Sequence, residues 1–225
     1  WYGGKYSTSG RFAFGPAPCR VMAQLEVTYA DGTRETIATG DGWEIAASPV
    51  LASSIYDGEI HDARLDRADW ATPQAGRDGW RTAEPIETHA PPIDPQRCAP
   101  IRAHEVLRST SVRKLGAGRY VVDFGQNFAG WPRLSVKAPA GTRITMRFAE
   151  QLKPSGEVDQ INLRAAWARD VYIAAGRGRE VWEPRFTYHG FRYVEVHGVP
   201  DTAGAWSLEA LVGYQDLPQT GAFRT

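Results

Sequence analysis

Phe186-Thr187-Tyr188-His189-Gly190-Phe191-Arg192-Tyr193-Val194-Glu195-Val196 is the stretch that decides the fold of this chain. Aromatic and β-branched residues dominate it, which suits a pleated, half-buried surface. A glycine inside such a run marks a bulge or a close backbone approach. The run therefore reads as a two-sided strand. Phe186 and Tyr188 share one face, His189-Gly190 shifts the register, and Phe191, Tyr193 and Glu195 then alternate with Arg192, Val194 and Val196. On this reading His189 is a bulge histidine held by hydrogen bonds rather than a general base.

A second run precedes it, Asp123-Phe124-Gly125-Gln126-Asn127-Phe128-Ala129-Gly130-Trp131. Tyr120, Val122 and Phe124 alternate with Val121 and Asp123, Gly125 ends the strand, and Gln126 and Asn127 cap the turn through their amides. Asp-Phe-Gly would bind magnesium in a protein kinase, but the glycine-rich loop, the strand lysine and the His-Arg-Asp loop that must accompany it are absent. Further strands are expected over residues 102–107, 118–124, 131–137, 143–149, 169–173 and 207–212, each short and bounded by Gly, Pro or Asn. Pro139-Ala140-Gly141-Thr142 and Pro154-Ser155-Gly156 are turns with a mechanism, since Pro presets φ and Gly accepts the left-handed position. Upstream, residues 21–29 and 34–39 form a hairpin around Asp31-Gly32, and Asp41-Gly42 leads to a short strand at Trp43-Glu44-Ile45. Residues 49–59 read as a strand opening into a loop. Residues 62–80 are the most helix-tolerant segment, cut short by Gly76 and Gly79.

Pro85, Pro91, Pro92, Pro95 and Pro100 crowd into one stretch that cannot donate a continuous ladder, so it reads as an extended linker with a boundary near Ala99. The chain is thus expected to be all-β, with two β-sandwich domains: a partial one over residues 1–99, including the linker, and a second over residues 100–225. A length of 225 residues accommodates both.

Charge narrows the function. The chain has 26 basic and 26 acidic residues, a balance that supplies no field to draw in nucleic acid or an anionic membrane. No apolar run approaches the roughly 18 residues that span a bilayer, and the stretch from Trp1 lacks the basic and apolar segments of a signal peptide. A soluble protein is expected, with the cytoplasm and secretion both open. Cys19 and Cys98 are too few for a disulfide framework. No two of His61, His89, His104, His189 and His197 have helical zinc-ligand spacing.

Two groups of acids invite a chemical reading. Glu150, Glu157 and Asp159 are close in sequence, and a glycosidase needs only two correctly spaced carboxyl groups. Beside Lys153 and the Pro-Ser-Gly turn they read as solvated loop charges, with a small lectin-fold glycosidase or lyase as the rival. The segment from Ile55 to Arg64 is the better candidate for a ligand contact. Asp57, Glu59 and Asp62 offer hard oxygen ligands that suit calcium if the loop curls, and Tyr56 or Trp80 could stack on a sugar ring. The alternative is that these acids pair with Arg64 and Arg67 to pin the loop.

Taken together, the landmarks resemble the bacterial α-L-rhamnosidases. Trp1-Tyr2-Gly3-Gly4, residues 24–32 and residues 56–64 are similar to the latter part of that family's N-terminal sandwich domain. Residues 123–127, Phe148-Ala149-Glu150, Asn162-Leu163-Arg164 and residues 188–193 are similar to its concanavalin-like domain. The resemblance implies that the general acid and base of an inverting hydrolysis lie on an α/α toroid following the second domain. No catalytic residue is therefore assigned here. It implies an accessory region whose partners are that catalytic domain and a rhamnose-containing carbohydrate, with self-association through an unpaired strand edge of the first sandwich. The rival within the same resemblance is a carbohydrate-binding module with a cation-assisted rhamnose site at the Asp57 to Asp62 loop, although Gly58 has no side-chain oxygen to contribute.

Overall fold

The computed structural model describes residues 20–86, 92–218 and 220–223. They divide into two compact units. One takes the described residues as far as Ser48 together with those of Arg67–Cys98, and the other takes Pro49–Asp66 and the described chain from Ala99 onward. The smaller unit holds β1 (Gln24–Thr28), β2 (Arg34–Ala38) and β3 (Glu44–Ile45). β1 and β2 pair antiparallel around the expected Asp-Gly turn, with Gly32 at φ 84°. The chain then enters the larger unit as β4 (Val50–Ser54), β5 (Gly58–Asp62) and a 3-10 turn at Ala63–Leu65, the one helical turn in the segment expected to tolerate a helix. It returns to pair β6 (Arg81–Thr82) with β3.

The rest belongs to the larger unit: β7 (Ile101–Arg108), β8 (Ser111–Gly116), β9 (Arg119–Lys137), β10 (Arg143–Ala149), β11 (Gln151–Leu152), β12 (Val158–Asp159) and a 3-10 turn at Ile161–Leu163. β13 (Arg169–Ile173), β14 (Arg179–Trp182), β15 (His189–His197) and β16 (Trp206–Gln215) complete it. A ten-stranded sheet runs β4-β5-β13-β10-β15-β9-β16-β7, with β8 and β14 also on β9. β9 is the reason one hydrogen-bonded sheet can close over a core. Its first half lies between β8 and β15, its second half between β14 and β16. Val122 and Val194 from the first set of strands pack with Leu134, Trp182 and Leu208 from the second in one buried cluster. The fold is all-β, as the turn-punctuated sequence implies.

Two local expectations are corrected. The strands expected at 118–124 and 131–137 are one strand of 19 residues, because Gly125 bulges rather than ends it. The register shift also falls between Phe191 and Tyr193, opposite residues 124–127, not at His189-Gly190. Asp123 organises that bulge: its Oδ1 accepts from the Gly125 amide at 2.7 Å and from Arg192 Nε at 2.8 Å, and its Oδ2 accepts from Arg192 Nη2 at 3.0 Å. A shift of one residue exchanges the faces of a strand. Phe191 therefore shares the core with Val194 and Val196, while Glu195 points the other way.

Candidate functional site

β5 lies parallel to β13 and antiparallel to β4, which makes the segment from Val50 to Asp62 an integral part of the large sheet. Gly58 at φ 97° starts it where only glycine fits, because a Cβ there would sit 2.6 Å from Asp170 Oδ1. That close approach delivers Glu59 into the interior. Glu59 and Asp170 are both 0% exposed. Asp170 Oδ1 accepts from the Glu59 amide at 2.9 Å and meets His189 Nε2 at 3.1 Å, while Phe148 stacks on the His189 ring at 4.0 Å. Glu59 Oε2 accepts from the amides of Arg185 and Phe186, each at 3.1 Å. Burial pushes the Glu59 carboxyl above its ordinary range, the two amides pull against this, and the charge of Asp170 adds to the rise.

The residues singled out in this segment have separate duties. Asp62 accepts from the Arg64 amide and from its guanidinium, at 2.9 Å to Nε and 2.7 Å to Nη2, which holds its carboxyl below the ordinary range. Asp57 Oδ1 accepts from the Trp167 amide at 3.3 Å, and Tyr56 is about half exposed. Asp57, Glu59 and Asp62 are thus bound to different elements, and among the described residues no three His, Cys, Asp or Glu side chains form a group able to hold a metal ion. Trp80 belongs to the smaller unit, where Arg77 lies 5.2 Å over its ring.

The second acidic group is dispersed in the same way. Glu157 pairs with Arg119 at 3.0 Å, and Asp159 Oδ1 accepts from the Ile161 amide at 3.0 Å. Glu150 stays at the surface, its Oε1 accepting from Asn127 at 3.2 Å and its Oε2 from Asn162 at 3.4 Å. His189 is held by hydrogen bonding, as expected of it, although the bulge lies elsewhere. Its carboxylate partner was missed by sequence reasoning. So was Glu195, fully buried, which accepts from the Val158 amide at 3.0 Å, from Arg119 at 3.1 Å and meets His197 at 2.7 Å. Burial raises the Glu195 carboxyl, but these partners outweigh it and the net direction is downward. The one available signal was an acid inside an otherwise β-forming apolar run, as in Arg169-Asp170-Val171-Tyr172-Ile173.

Comparison with known proteins agrees with this arrangement. Residues 1–105 match the α-L-rhamnosidase N-terminal domain, and residues 113–214 match the bacterial α-L-rhamnosidase concanavalin-like domain. The chain belongs to these two domain families of the bacterial α-L-rhamnosidases. An α-L-rhamnosidase of Streptomyces avermitilis is 39% identical over 226 residues, covering 100% of this chain and 22% of its own length. The crystal structure of a Streptomyces avermitilis α-L-rhamnosidase complexed with L-rhamnose superposes with a TM-score of 0.80 at 40% identity, over 88% of this chain and 19% of that one. The α-L-rhamnosidase of Dictyoglumus thermophilum gives 0.78 at 35% identity, over 85% and 22%. The chain spans 22–24% of the length of the curated relatives it matches. Among the described residues no helix is long and apolar enough to cross a membrane.

Proposed function

We propose that this chain is a non-catalytic β-sandwich region of an α-L-rhamnosidase, bracing the domain that carries the hydrolytic carboxyl groups. The observation that carries the reading is the commitment of its acids to structure. Glycoside hydrolysis needs two carboxyl groups on either side of the bond, roughly 5 Å apart for retention and about 6.5–9.5 Å for inversion. Here Glu59 and Asp170 are sealed in the interior, Glu195 and Glu157 are tied to Arg119, and Asp159 caps a turn. Glu150 faces solvent between two carboxamides rather than a second acid. The direct test is an aryl α-L-rhamnoside assay on the purified chain. We expect no release above a buffer blank; release that follows the protein through chromatography and is lost in Glu150→Ala would overturn the reading in favour of a self-contained glycosidase.

A further inference from the structure

We propose that Glu150, Asn127 and Asn162 form a carbohydrate subsite that holds, without cleaving, an adjacent pair of sugar hydroxyls. In the large sheet β15 runs between β10 and β9. Glu150 follows the end of β10, Asn127 lies on β9, and the two reach each other across Gly190 of β15. A Cβ on Gly190 would stand 3.8 Å from Glu150 Oε1, so the middle strand contributes bare backbone and leaves a floor between its neighbours. Asn162 closes the third side from the 3-10 turn.

That turn is held in place. Gln160 Nε2 donates to the carbonyl oxygens of Phe148, Trp167 and Ala168 at 2.9, 3.0 and 3.3 Å, Arg147 donates to Gln160 Oε1, and Asp159 caps the Ile161 amide. The turn ends on Arg164 at φ 57°, a conformation that costs a non-glycine residue energy and persists where the surroundings impose it. The backbone that carries Asn162 is consequently held in place before any ligand arrives, which removes part of the ordering cost of binding.

Their chemistry suits a neutral polyol. Arg119, Arg133 and Arg192 are spent on Glu157 and Glu195, on Glu183 and Glu209, and on Asp123, and among the described residues no cation pairs with Glu150. Each Glu150 oxygen takes one amide donor and retains a lone pair for a hydroxyl. The carboxamide oxygens of Asn127 and Asn162 and their second N–H groups supply further acceptors and donors around the carboxylate. Ile161, 85% exposed beside Asn162, offers an apolar contact for a sugar methyl or C–H face.

The choice of L-rhamnose as probe rests on the proposed role in an α-L-rhamnosidase, but its outcome is separate from the hydrolysis assay. L-Rhamnose is titrated into the isotopically labelled chain and followed by amide NMR shifts, with Glu150→Gln and Asn162→Ala compared. All three side chains are exposed, so the variants are expected to fold, and their unperturbed spectra report on that. We expect saturable shifts centred on Asn127, Gly190 and Asn162, and binding at least about tenfold weaker in Glu150→Gln, the loss of one charge-assisted hydrogen bond. Absence of saturable shifts, shifts centred on the loop from Asp57 to Asp62, or unchanged affinity in both variants would overturn the proposal.

Discussion

Glu59 joins three parts of the chain through one side chain. Its amide reaches Asp170 on β13, and its carboxylate takes the two amides that precede β15. Glu59 Oε1 and Asp170 Oδ2 are buried with no hydrogen-bond partner among the described residues. A buried acceptor left unpaired costs about 1–3 kcal/mol, and more if charged, so protonation of Glu59 relieves the pair. His189 on β15 and the Arg185 guanidinium are the other charged or titratable groups facing it. A carboxyl raised in the folded state contributes stability that is complete below its unfolded value and is lost as pH climbs through its folded value. We therefore expect the contribution of Glu59 to the thermal midpoint to fall as pH rises above about 4.5, so that the chain loses stability relative to Glu59→Gln, which keeps an oxygen for the two amides. Melts of both chains across that range check this; parallel curves would disprove it. Sequence reading recognised residues 55–64 as a place where acids concentrate. It offered them oxygen-ligand chemistry or pairing with Arg64 and Arg67, and Asp62 does pair with Arg64, but it did not find the partner of Glu59, because Asp170, 111 residues away, has no local signature as one.

At the scale of elements, β5 carries the clearest energetic consequence. It covers the edge of β13 through parallel pairs from Val171↔Ile60 to Ile173↔Asp62, and its His61 stacks on Tyr172 with centroids 5.9 Å apart. A chain beginning at Ala99 would retain β7 to β16 but expose the β13 edge and leave Asp170 without the Glu59 amide. We expect it to lose at least about 3 kcal/mol relative to the full chain, the range for breaking a buried polar network. Urea unfolding of the two chains measures the difference, and equal midpoints with equal slopes would show that β5 is dispensable. Local pattern located β10 and β13 with their observed bounds, because turns and alternation are properties of neighbouring residues. It misjudged β9 and the face of Phe191, because a bulge is set by the partner strand. Asp123 and Arg192 are 69 positions apart, and their ion pair sits where residues 124–127 of β9 stand opposite one residue of β15.

For the whole molecule, the bracing role makes a thermodynamic prediction. A partner that binds the folded state of a catalytic domain raises its apparent stability by mass action. Adding this chain to a separately produced rhamnosidase catalytic domain should therefore raise that domain's melting temperature in a concentration-dependent way. An unchanged melt at saturating chain would exclude bracing while leaving the sugar subsite intact. Architecture and family membership were determined by the sequence alone, since alternation, turn residues and the order of landmarks from Asp123 to Tyr193 are all written along one dimension. Tertiary structure alone decided that β5 joins the later strands, that Glu59 and Asp170 are buried together, and that Asn127 and Asn162 converge on Glu150. The physical reason is that sheet pairing and shared burial link residues far apart in the chain, and their free energy exists only once the strands have met.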